Sequence, residues 1–301
     1  MYSCQVVNFL TMNNAINVCN LCHRNIDIML HLPCHPKEWF LFGLFWLGGV
    51  WTIIYECCIV VWYYHQHCNW LVISHIVTVT LLACLIYSNM YFLLSKDVSA
   101  RQLNRCQETC PPGWTFCKQC QFHVPPRSHH CKLCNLCILK RDHHCWFAGY
   151  CIGFKNHRYF VSLAFYMSIA GLYANIYNWQ FVLNEKGGFT WTTLPSLFAP
   201  HVGLMLGYYS LYEFALTVNT SVGFFFTIFF VWMFCVQVLQ IISGQVMHER
   251  KKGIHVYNLG FRTNLQEVFG PRGLISLLCP FVPTQLAGDG TEFSSHTQKT
   301  E

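Results

Sequence analysis

Residues 117–151 read CKQCQFHVPPRSHHCKLCNLCILKRDHHCWFAGYC, a stretch that holds seven cysteines and five histidines. Repeated C-x2-C pairs let two thiolates from one tight turn reach one tetrahedral ion, so this spacing points to zinc. Apolar residues are sparse here and supply little core, so metal must provide the folding free energy that packing cannot. Two tetrahedral sites need eight ligands, and the spacing alone does not assign them or say which thiol stays free.

On both sides of this stretch the chain is apolar. Of the 301 residues, 53% are hydrophobic and only 11% charged, against about 25% charged in a typical soluble domain. A soluble protein of this size would need more charge to cover its surface, whereas a bilayer accepts long apolar helices. Trp39 to Tyr63, Leu71 to Leu94 and Tyr159 to Val182 each approach the roughly 20 residues that cross a bilayer. Between His201 and Gln245 the only charged residue is Glu213. That run is read as one span, Gly223 to Ser243, with residues 195–219 left open between a re-entrant and an interfacial segment.

Lysines and arginines set the orientation. Ten lie between Lys96 and Arg158, six after residue 246, two before Trp39, and only Lys186 in the other loops. The positive-inside rule then places both termini and the Cys/His stretch in the cytosol. A reducing compartment faces those cysteines, which are expected as metal ligands or nucleophiles rather than disulfides. Residues 1–33 lack a basic n-region and an unbroken apolar core and are read as a cytosolic tail rather than a cleaved signal. Glu56 and Glu213 are the intramembrane charges, each weighed between a substrate or ion pathway and a carboxylate hydrogen-bonded between helices or at the interface.

The order C-x2-C, PPRSHHC, x2-C-x2-C, then Asp142-His143-His144-Cys145 and a following Cys151 resembles the cysteine-rich domain of the DHHC protein S-acyltransferases. The resemblance implies an α-helical polytopic membrane protein of four transmembrane helices, with a cytosolic zinc-bound domain between spans 2 and 3. The domains expected are a tail at 1–38, spans 1 and 2 in 39–94, the Cys-rich domain at 95–158 with its core at 116–151, spans 3 and 4 in 159–246, and a cytosolic tail at 247–301.

Carried over residue by residue, Cys117, Cys120, His130 and Cys137 would hold one structural zinc, and Cys131, Cys134, His144 and Cys151 a second. Cys145, His143 and Asp142 are left unmetalled, and the resemblance gives them the roles of nucleophile, base and orienter. Their chemistry is coherent: a thiol attacks a thioester as thiolate, an adjacent imidazole takes its proton, and a carboxylate steadies the ring. The implied reaction moves a long-chain acyl group, palmitoyl by expectation, from acyl-CoA to Cys145 and then to a cysteine of a membrane-associated or cytosolic-face protein.

Lys140, Arg141, Lys155 and Arg158 are candidate contacts for CoA phosphates, with ordinary positive-inside residues as the competing reading. Beyond the fourth span, Tyr257 to Gly260, Asn264 and Val268 to Gly270 resemble a short family motif that packs against the catalytic domain. Asn264 is expected there to satisfy backbone groups, and the tail from Gly288 to be disordered. The expected partners are the bilayer, acyl-CoA and substrate proteins, with no nucleic acid, and the expected location is the endoplasmic reticulum or Golgi.

The chain also departs from the pattern. Trp146-Phe147 stands where most members have Pro-Trp, Gly149-Tyr150 replaces an Asn pair, no Asp-Pro-Gly follows span 2, and a Thr-Thr-x-Glu element is reduced to Val246-Met-His-Glu249. These departures predict slower or narrower acyl transfer and keep a zinc-stabilised, catalytically weak or silent adaptor as the alternative function. A RING-type ubiquitin ligase is disfavoured, because the C-x-H pair of a cross-braced RING is absent. Cys19 and Cys22 lack enough neighbouring ligands for a site, Cys106 and Cys110 are possible accessory thiols, and Cys57, Cys58, Cys84 and Cys235 read as packing residues.

Overall fold

The computed structural model describes residues 30–65, 68–105 and 111–295. Cys19, Cys22, Cys106 and Cys110 lie outside them. Among the described residues, four helices are long and apolar enough to cross a membrane: α1 (Pro36–His65), α2 (Asn69–Ser95), α3 (His157–Glu185) and α6 (Leu211–Ile242). Between α2 and α3 the described residues form six three-residue strands, β1 (Thr115–Cys117), β2 (Phe122–Val124), β3 (His129–Cys131), β4 (Leu136–Ile138), β5 (His143–Cys145) and β6 (Tyr150–Ile152). They pair as three antiparallel hairpins, β1 with β2, β3 with β4, and β5 with β6. After α6 come α7 (Met247–Lys252), α8 (Phe261–Phe269) and α9 (Leu274–Leu278).

The fourth long helix begins twelve residues before the expected Gly223. The reason lies at Ser210. Its hydroxyl accepts from the Glu213 backbone N–H at 3.2 Å, and the Glu213 carboxylate accepts from the Ser210 N–H at 2.7 Å. This reciprocal cap satisfies two orphan donors and starts the helix there, so Glu213 serves the helix end. The open stretch ahead of it holds α4 (Thr193–Phe198) and α5 (Pro200–Met205), six residues each. At 1.5 Å per residue neither can cross a bilayer.

By compactness the chain divides into two units, one of residues up to Gly48, Ser88–Phe160 and from Leu239 onward, the other of Gly49–Tyr87 and Val161–Val238. The second unit explains Glu56. Its side chain is buried, one oxygen accepts from Asn178 Nδ2 at 2.7 Å, and the other lies 3.6 Å from His75 Nε2. Tyr173 in turn sits 3.0 Å from His75 Nδ1. Side chains from α1, α2 and α3 thus share one polar cluster, at a π-helical turn over Glu56–Val60. In the same unit, a Cβ at Gly171 would come within 3.0 Å of Thr227 Cβ, so only glycine lets α3 and α6 approach this closely.

The first unit carries the hairpins. Ala100, Phe122, Val124, Leu139 and Phe154 form a small core around Cys117 and Cys137, with Leu286 and Phe293 packed against it. The tail is therefore ordered as far as these residues, correcting the expectation from Gly288 onward. Phe293 lies edge-on to Phe154 and 5.0 Å from the Arg127 guanidinium, and that burial outweighs the polar composition around it. Asn156 joins the end of the hairpins to the long helices. It accepts from the Gly153 N–H and donates to the carbonyls of Cys151 and Leu93.

The polar cluster yields a prediction for the membrane region. Asn178→Leu removes the donor to a buried carboxylate, which costs about 1–3 kcal/mol. A lowered thermal midpoint of the detergent-solubilised protein is expected. An unchanged midpoint would show that Glu56 does not depend on Asn178.

Candidate functional site

Each hairpin is built on one plan. Cys117, Cys131 and Cys145 stand fourteen residues apart, each ending the first strand of its hairpin. Four positions later a left-handed residue turns the chain, with φ of 59° at Gln121, 51° at Asn135 and 59° at Gly149. In the first two turns a second cysteine precedes it, Cys120 and Cys134. In the third, Ala148 takes that place. The cross-strand pairs also recur: His130 faces Cys137, and His144 faces Cys151.

These positions combine between hairpins. The turn thiols Cys117 and Cys120 meet His130 and Cys137 of the next hairpin, and Cys131 and Cys134 meet His144 and Cys151 of the one after. In each group the four ligand atoms lie within 4.8 Å of one another. His144 Nδ1 is 3.6, 3.3 and 3.6 Å from the sulfurs of Cys131, Cys134 and Cys151, and His130 Nδ1 is 3.9, 3.3 and 4.0 Å from those of Cys117, Cys120 and Cys137. A tetrahedral zinc with Zn–S near 2.3 Å and Zn–N near 2.0 Å would set S···N at roughly 3.6 Å. The residues present therefore fit the ion.

The thiols themselves ask for a cation. Hydrogen bonds from Cys134 and Cys151 hold the Cys131 thiol low, and Cys131 and Cys151 in turn drive Cys134 up. Packed together, they cannot all ionise unless a positive charge sits among them. His144 Nε2 turns away from the group to Glu38 Oε1, 2.9 Å distant.

Cys145 is a buried free thiol outside both groups. In its strand, two residues earlier, His143 Nδ1 lies 2.8 Å from Asp142 Oδ2. The other oxygen of Asp142 accepts from the Met247 backbone N–H at 2.6 Å and from Gln240 Nε2 at 3.3 Å. Burial disfavours the His143 imidazolium, but hydrogen bonds to Asp142 and Cys145 outweigh it and raise the ring to about 10. Phe160 packs edge-on at 4.7 Å and limits its rotation. The arrangement can hold an imidazolium beside a thiolate.

Residues 112–254 match the sequence profile described as DHHC palmitoyltransferase. A probable palmitoyltransferase ZDHHC24 of Rattus norvegicus is 35% identical over 214 residues, 69% of this chain and 74% of that protein. The chain belongs to the DHHC palmitoyltransferase family. The zebrafish (Danio rerio) probable palmitoyltransferase ZDHHC24 is 36% identical over 145 residues, covering 47% of this chain and 48% of its own length. Palmitoyltransferase ZDHHC22 of Homo sapiens is 50% identical over 46 residues, 15% of this chain and 18% of that protein. The matched part thus spans about half of the zebrafish relative and less than a fifth of the human one.

Within this DHHC protein the reduced Val246 to Glu249 element keeps its charge in use. Arg127 Nε and Nη2 donate to the two oxygens of Glu249 at 2.7 and 2.8 Å, and Nη2 also reaches the Gly244 carbonyl. Both partners are buried, and breaking such a pair from one side costs roughly 3–5 kcal/mol. Asn264 behaves as expected: it accepts from the Leu259 N–H and donates to the Ile242 carbonyl at 2.9 Å.

The four cations named as CoA contacts are placed differently from one another. Lys140 is buried 2.9 Å from Glu267, and burial together with the Arg127 charge brings it down to about 8. Arg158 is buried and donates to the Val282 carbonyl. Arg141 and Lys155 are half-buried. Sequence reasoning missed Arg127, Gln240, Met247 and Glu38 as supports of the site, because each acts from another element at a separation of about a hundred residues.

Metal analysis of the purified protein is expected to give about two zinc ions per chain, one per group of four ligands. Cys131→Ala should lose one of them and loosen the hairpins to proteolysis. A folded Cys/His region with no zinc would overturn the assignment.

Proposed function

We propose that this protein is an S-acyltransferase that carries a long-chain acyl group, palmitoyl in the first instance, from acyl-CoA to a protein cysteine through a thioester on Cys145. The observation that carries the proposal is the fixed row Asp142, His143 and Cys145. A carboxylate held by two donors orients an imidazole beside the one cysteine of the stretch 117–151 that joins neither ligand group.

Each step balances in atoms and charge. The Cys145 proton passes to His143, and Asp142 steadies the resulting imidazolium. The thiolate attacks the thioester carbonyl, the carbon–sulfur bond to CoA breaks, and the CoA thiolate takes the proton from His143. In the second half a substrate thiol gives its proton to His143 and attacks the acyl-Cys145 carbonyl, and Cys145 leaves as thiolate. A thioester is exchanged for a thioester, so the net driving force is small. Zinc, held by the two groups, supplies folding free energy to the hairpins.

The acyl chain belongs in the bilayer, and CoA in water at the same face. Lys140, Arg141, Lys155 and Arg158 make that face positive, with Arg141 and Lys155 the more accessible for phosphates. We place this face and both termini in the cytosol, in an endoplasmic reticulum or Golgi membrane, from the distribution of lysine and arginine. Protease protection in sealed vesicles tests the placement. A C-terminal tag and the hairpins should be cut from the cytosolic side, and a protected tag would contradict it.

With labelled palmitoyl-CoA, the wild-type protein should form a hydroxylamine-sensitive adduct on Cys145, and Cys145→Ser should abolish it at full zinc content. His143→Ala should slow acylation by about 10²–10⁴-fold, whereas His144→Ala should instead lose metal. Full zinc with no label from any acyl-CoA of C14 to C18 would replace the enzyme with the adaptor.

A further inference from the structure

The third hairpin has no successor. Each of the first two gives its turn thiols to the hairpin that follows, but β5 and β6 end the series, and their turn carries Ala148 and Gly149 where a cysteine and a side chain stood before. Residues from the far end of the chain cover it. Pro33 is buried against Gly149, where an added Cβ would lie 2.6 Å from Pro33 Cβ and 2.8 Å from its Cα. The His31 ring stacks on Tyr150 at 4.3 Å, its planes 4° apart, and the His31 N–H donates to the Leu94 carbonyl at 2.9 Å. His35 Nε2 lies 3.1 Å from the Leu133 carbonyl, in the turn between Cys131 and Cys134.

This segment ends at Pro36, which starts α1 with its φ already fixed for a helix. Glu38 then falls in the first turn, where an acid ordinarily faces water near the unpaired N–H groups. Here it does not. Glu38 is 0% exposed, and its Oε1 lies 2.9 Å from His144 Nε2. His144 Nδ1 faces the sulfurs of Cys131, Cys134 and Cys151. A buried carboxylate is costly without a charged or hydrogen-bonding partner, and the ring N–H of His144 is the partner this one has.

We propose that residues His31 to Glu38 form a strap that closes the third hairpin, and that Glu38 is a positioning residue for the second metal site. The proposal rests on the reading that Cys131, Cys134, His144 and Cys151 hold zinc. A carboxylate on the far nitrogen fixes which nitrogen of His144 carries the proton, orients the ring toward the ion and raises its strength as a ligand. Loss of such a partner typically weakens metal binding by about 10–100-fold. The first group, built from Cys117, Cys120, His130 and Cys137, does not contact Glu38, so the effect falls on one ion of the two.

Chelator competition on the full-length protein in detergent reads both ions, and hydrogen exchange of residues 31–38 reads the strap. Glu38→Ala should weaken one zinc by about 10–100-fold and leave the other unchanged, while Glu38→Gln, which keeps an acceptor, should fall between. Gly149→Asn tolerates the left-handed turn but puts a Cβ into Pro33. It should speed exchange in residues 31–38 and weaken the same zinc. Equal weakening of the two ions by Glu38→Ala, or no weakening, overturns the positioning role. Unchanged exchange in Gly149→Asn overturns the strap. Wild-type protein with no second zinc defeats the metal reading itself, and Glu38 loses its role with it.

Discussion

A three-residue hairpin cannot stand by itself in water, and three of them in a row need something besides backbone hydrogen bonds to hold them. In this protein each of the first two turns offers two thiols that the next hairpin completes, with a histidine and a cysteine paired across its strands. The rest of the site depends on that offset. Two sites can be filled from three hairpins, and the first cysteine of the third turn is left over. Cys145 occupies the place of a ligand in a unit that has no successor. A free thiol thus arises beside the two ligand groups as the remainder of a repeat.

The leftover thiol still needs its histidine aimed, and that task falls to the chain beyond α6. Gln240 and the Met247 N–H hold one oxygen of Asp142 and leave the other for His143. The same short segment is fixed by Glu249, which takes the Arg127 guanidinium in a two-pronged pair. Arg127 belongs to the link between the first and second hairpins. The distance from Arg127 to the imidazole therefore runs through one buried ion pair, one capped turn and one carboxylate. The divergence in the Val246 to Glu249 element is tolerable in these terms, because a backbone N–H and a glutamate do the holding.

Much of this was open to reading in the sequence. Four apolar runs and the C-x2-C pairs were visible because both signals are local: a span is continuous, and a pair of thiols on one turn needs no knowledge of the fold. The start of the fourth span was missed although Ser210-x-x-Glu213 spells a capping box, because an apolar run masks where a helix begins inside it. The fourteen-residue period from Cys117 through Cys131 to Cys145 was equally available, and it marks Ala148 as the missing ligand. Glu38 could not be found in this way. Its partner lies 106 residues on, and nothing in a first-turn acid distinguishes one that caps a helix from one that braces a distant imidazole. The role of Phe293 was hidden for a related reason, since a single aromatic in a polar tail gains its burial from distant surfaces, among them those of Phe154, Tyr257, Arg127 and Lys140.

The central claim is that two ligand groups, each of three sulfurs and one nitrogen, leave Cys145 out. X-ray absorption at the zinc edge reads this directly. The account predicts an average shell of three sulfurs near 2.3 Å and one nitrogen near 2.0 Å, unchanged by Cys145→Ser. A shell of four sulfurs, or one that loses sulfur when Cys145 is replaced, would make Cys145 a ligand and contradict it.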